Sequence, residues 1–232
     1  VLATLSSVLL LAFDTATPAV TVALHDGERV LAESTSVDGR RHGELLAPAI
    51  AAVLAQAGAA AEQVTDLAVG VGPGPFTGLR VGLVTALTWG SARGVPVHGV
   101  CTLDVLAYAS GLGEPFAVAT DARRREVYWA RYDDHLTRSG PPMVARPADV
   151  AAQLGGLPVV GAGAALYAED FPDHRRPELP AGGALADLAV LRLRSGGEGL
   201  LPAVPLYLRR PDAVVPSERK QVSGVGRERV VN

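Results

Sequence analysis

Val8-Leu9-Leu10-Leu11-Ala12-Phe13-Asp14-Thr15-Ala16-Thr17-Pro18, followed by Val20-Thr21-Val22-Ala23-Leu24, decides the fold. The first six residues are an unbroken apolar run, which reads as a strand buried on both faces. Asp14 to Pro18 is turn chemistry. Val20 to Leu24 then returns as a second strand, Asp26-Gly27 turns again, and Arg29 to Ser36 supplies a third. The chain therefore opens as an antiparallel meander.

Reading onward, Leu46, Ile50, Val53 and Leu54 give one apolar face to a helix over Arg41 to Ala57, which Gly58 stops. Leu67 to Val71 is the next strand. The Gly/Pro loop Gly72 to Phe76 leads into a second helix, Thr77 to Arg93. Strand Val97 to Val100 and a helix from Thr102 to Ser110 close the first half. After Gly111 to Pro115 the flavour repeats, with strands Phe116 to Thr120 and Val127 to Tyr132, helix Pro147 to Leu154, strand Pro158 to Val160 and helix Leu185 to Arg194. Val204 to Leu208 reads as extended. Strand–strand–strand–helix–strand–helix in both halves predicts a duplicated α/β architecture, divided as 1–110, 111–210 and a flexible tail over 211–232. No sequence repeat is visible; the duplication rests on element order.

The 232 residues are 19% charged and 48% apolar, a globular composition. A net charge of −3 argues against a chain that holds nucleic acid strongly by itself. The single cysteine, Cys101, excludes an internal disulfide and suits a reducing cytosol. The apolar start from Val1 lacks a basic n-region and stops at Asp14, so it reads as a buried strand and not as a signal peptide or membrane span. Starting on Val1, the sequence is expected to lack its initiator Met.

Few segments carry chemistry. Asp14 and Thr15, at the end of a buried strand, either hold a metal-bound phosphate or bond to turn backbone. The Gly70 to Gly82 stretch is neither a P-loop nor a Rossmann fingerprint. Pro73 and Pro75 remove two N–H donors that a phosphate cradle needs, so a rigid structural loop is expected there. Gly161-Ala162-Gly163 either borders a nucleotide or only permits a tight turn. Arg123-Arg124-Arg125 either meets phosphate or acids of a partner or is a solvated hairpin. The histidines show no metal-ligand spacing, and there is no nucleophile elbow. Gly78, Gly82, Ala86 and Gly90 repeat every four residues and form a smooth helical stripe. Such glycines cost helix propensity and imply close approach of another backbone, from the same chain or from a partner. Leu79, Leu83 and Leu87 are assigned to the core.

At these residues the sequence resembles the TsaB (YeaZ) family. The matching stretches are Leu-Ala-Phe-Asp-Thr-Ala-Thr at 11–17, Arg-His-Gly-Glu-Leu-Leu-Ala-Pro at 41–48, and Gly-Pro-Gly-Pro-Phe-Thr-Gly-Leu-Arg-Val-Gly at 72–82. Gly-Val-Cys-Thr-Leu-Asp at 99–104, Asp-Ala-Arg-Arg-Arg-Glu-Val-Tyr at 121–128 and Pro-Leu-Tyr-Leu-Arg at 205–209 extend them in order. The resemblance implies a two-lobed actin-like, sugar-kinase-like (RNase H-like) fold. It implies a cytoplasmic, non-catalytic partner of the TsaD-type subunit that transfers threonylcarbamoyl to adenosine beside the anticodon of tRNAs reading A-starting codons. A TsaE-type ATPase docks on that pair, and tRNA is reached only through the complex; a homodimer through the same helix face when the chain is alone is a separate alternative. No catalytic or metal-binding residue and no cofactor of its own is expected, ATP or ADP being a matter for the complex.

Pairing through N-terminal helices places His42, Leu45, Ala49, Thr77, Gly78, Val81, Gly82, Thr85, Ala86 and Gly90 at the partner. Any nucleotide cleft would be lined by Asp14, Thr15, Gly161 and Gly163. Two departures bear on this. Pro75 stands where the family often has Ser, which removes a hydroxyl and a donor. The paired histidines of TsaD-type chains are reduced to His42, which disfavours the competing reading of a stand-alone nucleotide-dependent transferase or peptidase-like enzyme.

Overall fold

A computed structural model describes residues 8–209. The tail expected over 211–232 lies outside the described residues. The first lobe is built on strands β1 (Leu10–Asp14), β2 (Ala19–His25), β3 (Val30–Val37), β4 (Asp66–Gly70) and β5 (Val97–Val100). They form one sheet in the order β3-β2-β1-β4-β5, with β1 antiparallel to β2 and parallel to β4. The second lobe uses β6 (Phe116–Asp121), β7 (Val127–Tyr132), β8 (Met143–Ala145), β9 (Val159–Val160) and β10 (His174–Arg175). Its order, β10-β9-β6-β7-β8, is the first sheet read backwards, and the pairings repeat one for one. The duplication inferred from element order is thus present as topology.

The helices are α1 (His42–Gln56), α2 (Phe76–Arg93), α3 (Thr102–Ser110), α4 (Pro147–Leu154), α5 (Ala162–Leu166) and α6 (Gly182–Arg194). β1 is buried along its whole length, as an uninterrupted apolar run in the middle of a sheet requires. On one face of the first sheet, Leu11, Phe13, Val20 and Val22 pack with Leu46, Ile50 and Val53 of α1 and Leu79 and Leu83 of α2. Each such fully buried side chain contributes about 1.5–3 kcal/mol from apolar burial. On the other face, Leu10, Ala12 and Ala23 meet Leu185, Leu188 and Ala189 of α6. Gly94 and Gly111 end α2 and α3 in the left-handed conformation that lacks a Cβ penalty.

The end of the described chain returns to the first sheet. Helix α6 lies against β1, β2 and β3 of the first lobe. Gly182 comes so close to β2 that a Cβ there would stand 2.7 Å from the Val22 carbonyl carbon. The stretch after α6 crosses the first lobe too: Gly99 and Leu201 form a bridge, and the Leu206 N–H donates to the Val71 carbonyl at 2.9 Å. Val204 to Leu208 is therefore a strap held by single contacts, not a strand.

Candidate functional site

The turn after β1 sits where the two lobes meet. Its Asp14 is fully buried. One carboxylate oxygen accepts the Ala16 N–H at 2.6 Å and the other accepts the Thr102 hydroxyl at 2.7 Å. Gly70 lies directly beneath, where a Cβ would fall 2.1 Å from the Asp14 Cγ. Burial lifts the Asp14 carboxyl above the ordinary carboxylate range, while the hydrogen bonds from Ala16 and Thr102 pull against it. This is the geometry of the backbone-bonding alternative for Asp14: both oxygens are engaged within the chain.

Thr15 is likewise enclosed. Its hydroxyl donates to the Gly78 carbonyl at 2.8 Å and accepts the Gly82 N–H at 2.9 Å. Gly78 and Gly82 are the two ends of one i to i+4 rung of α2, so the hydroxyl is inserted into the helical ladder. The loop before α2 is equally close: a Cβ on Gly74 would stand 2.1 Å from the Ala16 carbonyl oxygen. The Gly/Pro loop is thus a packing element, as its prolines suggest. Gly161, at φ +110°, would put a Cβ 2.3 Å from the Ala119 carbonyl oxygen, and Gly163 is packed on the same backbone. These glycines let α5 approach β6.

Between the lobes lies a cleft of about 210 Å³ lined by Ala16, Pro18, Pro75, Thr120, Arg123 and Leu166 among others. Small-molecule pockets are typically about 300–1,000 Å³. A neighbouring hollow of about 210 Å³ opens at the start of α1 and α2, with Arg40, His42, Thr77 and Arg123 on its walls. Arg123, Arg124 and Arg125 all adopt φ near +60°. Arg123 is tied back by Asp121, through its N–H at 2.7 Å and its guanidinium at 3.2 Å.

The partner-facing positions divide by burial. Gly78, Gly82, Ala86 and Gly90 are all buried. They face the chain's own first lobe: a Cβ on Gly78 would meet Thr15 O at 2.6 Å, and one on Gly90 would meet Val97 Cγ2 at 2.4 Å. The close approach that the stripe implies is real, but its other side is intramolecular. His42 is also buried, its Nε2 donating to the Thr17 carbonyl at 2.8 Å. Leu45, Ala49, Val81 and Thr85 are half-buried and Thr77 is exposed.

The surface that α1 and α2 leave open is not evident from the sequence. On α1 it includes Ala47, Pro48, Ala51, Ala52 and Ala55, with Glu44 and Gln56 exposed at its two ends. On α2 it includes Phe76, Val84 and Leu87, with 41%, 60% and 48% of their area exposed. Leu87 continues the spacing of Leu79 and Leu83, which assigns it to the core, yet it faces outward. A four-residue step advances about 40° beyond a full turn, so two steps swing Leu87 away from the sheet. The exposed end of this face is capped by the strap. Phe76 stacks on Tyr207 at 5.4 Å between centroids, Arg80 lies 3.7 Å over the Phe76 ring, and Arg80 Nε donates to the Tyr207 hydroxyl at 3.1 Å.

Cys101 is fully buried at the start of α3, and burial pushes its thiol up to about 12. Among the described residues, no group of three His, Cys, Asp or Glu side chains is placed to hold a metal ion. No helix of the described residues is long and apolar enough to cross a membrane.

With this geometry in hand, comparison with known proteins is specific. Residues 29–173 match the family model described as TsaD: tRNA N6-adenosine threonylcarbamoyltransferase. An uncharacterized protein of Mycobacterium tuberculosis is 46% identical over 210 residues, covering 88% of this chain and 92% of the relative. The tRNA threonylcarbamoyladenosine biosynthesis protein TsaB of Escherichia coli is 37% identical over 127 residues, and the match spans about half of each chain, 53% and 54%. Among solved structures, YeaZ from Pseudomonas aeruginosa superposes with a TM-score of 0.74 at 32% identity, covering 87% of this chain and 100% of that one.

Proposed function

The chain belongs to the TsaB (YeaZ) family, and from that premise we propose that it acts in tRNA threonylcarbamoyladenosine biosynthesis as the non-catalytic partner of a TsaD-type subunit. The observation that carries this reading is the state of Asp14. The one acid at the lobe junction that sequence reasoning offers to a phosphate has both oxygens bonded inside the chain under full burial. An acid engaged in this way serves architecture better than turnover. Pro73 and Pro75 add to this by denying the adjacent loop two N–H donors.

The pairing surface is the open face of α1 and α2 in the N-terminal lobe. Small side chains on α1 permit close backbone approach, while Phe76, Val84 and Leu87 supply apolar area. Exposed apolar residues gathered on one face mark association surfaces. A TsaE-type ATPase then docks on the pair, and tRNA, which a chain of net charge −3 is poorly equipped to hold alone, is met by the complex. The same face accounts for a homodimer when the partner is absent.

Light scattering after size exclusion tests the proposal, on this chain alone and mixed with the TsaD-type protein of the same genome. A one-to-one complex is expected to replace any homodimer. ATP turnover by the isolated chain, with no complex formed, would overturn the reading in favour of a stand-alone nucleotide-dependent enzyme.

A further inference from the structure

Away from the interlobe cleft, and independent of the partner reading, three chain segments converge on Asp104. Its carboxylate is buried on α3. One oxygen accepts the Tyr132 hydroxyl at 2.9 Å and Arg138 Nη1 at 2.6 Å, and the other accepts Arg192 Nη2 at 2.9 Å. Tyr132 comes from β7, Arg138 from the β7–β8 connection and Arg192 from α6. Burial first, and then the neighbouring Asp104 charge, hold the Tyr132 hydroxyl well above its ordinary range, so it remains a neutral donor.

Two guanidinium groups thus share one carboxylate, and the cluster carries one positive charge more than it neutralises. A structural pin needs one arginine with its donors satisfied. Here the second is incompletely used: Arg192 Nη1 is buried and has no hydrogen-bond partner among the described residues, in a side chain 13% exposed. The Arg138 side chain is 25% exposed, with Nε given to the Gly140 carbonyl.

Both arginines line an open groove of about 760 Å³. This is within the size range of small-molecule sites, about 300–1,000 Å³. Leu136, Leu188 and Leu191 give it an apolar wall. The other acid on its lining, Glu198, is exposed and forms no ion pair among the described residues.

The geometry points to a binding site in this groove for a small organic anion, a carboxylate or phosphate monoester head joined to an apolar body. The head meets the Arg138 and Arg192 guanidinium pair, whose planar donors suit such groups, and the body lies along the leucine wall.

Isothermal titration of the full chain with phenyl phosphate tests this, with hexanoate as the carboxylate probe and inorganic phosphate and benzyl alcohol as controls. Saturable binding of both organic anions in the millimolar range is expected for ligands of this size. Arg138→Gln is expected to weaken it about tenfold. Glu198→Gln, which removes a like charge from the rim, is expected to tighten it about threefold. No saturation by about 10 mM, or equal binding by wild type and Arg138→Gln, would overturn the site. Equal affinity for inorganic phosphate would overturn the role of the leucine wall. An Arg138→Gln protein that binds phenyl phosphate normally but pairs poorly with a protein partner would overturn the small-ligand assignment in favour of protein docking. Should Arg138→Gln fail to fold, Glu198→Gln decides the matter, since it alters only an exposed side chain.

Discussion

Thr15 and Gly82 share a 2.9 Å hydrogen bond in which the threonine hydroxyl accepts a helical amide. The same hydroxyl donates to Gly78, so the residue following β1 occupies a rung of α2. A Cβ on Gly82 would stand 2.7 Å from Thr15 Oγ1 and displace it.

Gly82→Leu, which on a surface stripe would leave a folded monomer, is therefore expected to unfold it. Gly82→Ala gains about 1 kcal/mol of helix propensity. It loses more through overpacking and two broken hydrogen bonds, for a net cost of about 1–3 kcal/mol. Thr15→Ala removes the obstruction, so the double variant should be more stable than additivity predicts. Urea midpoints on wild type, the two alanine variants and their combination check this; a Gly82→Ala protein as stable as wild type would refute it.

Asp14 gives a pH dependence with a definite sign. Its folded-state pKa is raised by burial above the unfolded value, near 3.8. The folded state thus holds its proton longer, and the contribution of this group is fully present below the unfolded pKa. It is lost as pH rises through the folded pKa. Asp14→Asn keeps an acceptor for Ala16 and a polar partner for Thr102 without the charge. Its stability relative to wild type is expected to improve from pH 4 to pH 7, read as the difference in denaturation midpoints. A constant difference across that interval would contradict the assignment.

Val84→Glu and Leu87→Glu place charges on the open face of α2, where exposed substitutions usually change stability by no more than about 0.5 kcal/mol. Each is expected to leave Tm near wild type while weakening association at least about tenfold, the usual effect of truncating or charging an interface anchor. Sedimentation of wild type and variants with the TsaD-type protein measures it. Undiminished pairing by both would move the interface elsewhere.

Cys101 is expected to resist alkylation. With the thiol pushed up to about 12, almost no thiolate exists at pH 8, and the side chain is inaccessible. Iodoacetamide should leave the native chain unmodified over hours and label it once in denaturant, as read by intact mass. Rapid native labelling would show that α3 opens.

Much of the fold is legible because it is written in local periodicity. β5, α3, β7 and α4 run over the residues the pattern predicts, Val97–Val100, Thr102–Ser110, Val127–Tyr132 and Pro147–Leu154. The repeated order of elements foretells the repeated sheet topology. The site is less legible. The spacing of Gly78 and Gly82 says that something must come close, but not that it is Thr15, 63 and 67 positions earlier. Asp104 ends a family-matching stretch, but its cluster with Arg138 and Arg192 carries no sequence signal, because it lies 34 and 88 residues from the two arginines and no short motif links them.

The sequence by itself thus determined the order of the longer strands and helices, the α/β class and which stretches carry the family's motifs, but not the short β8, α5 and β10. Those properties depend on side chains a few positions apart. Only the tertiary structure decided which face of α2 is inside, that α6 packs on the first sheet, and that Asp14 is engaged by its own turn and by Thr102 of α3. Each of those depends on distant backbone arriving within a few ångströms, where a single hydroxyl or a missing Cβ sets what can pack.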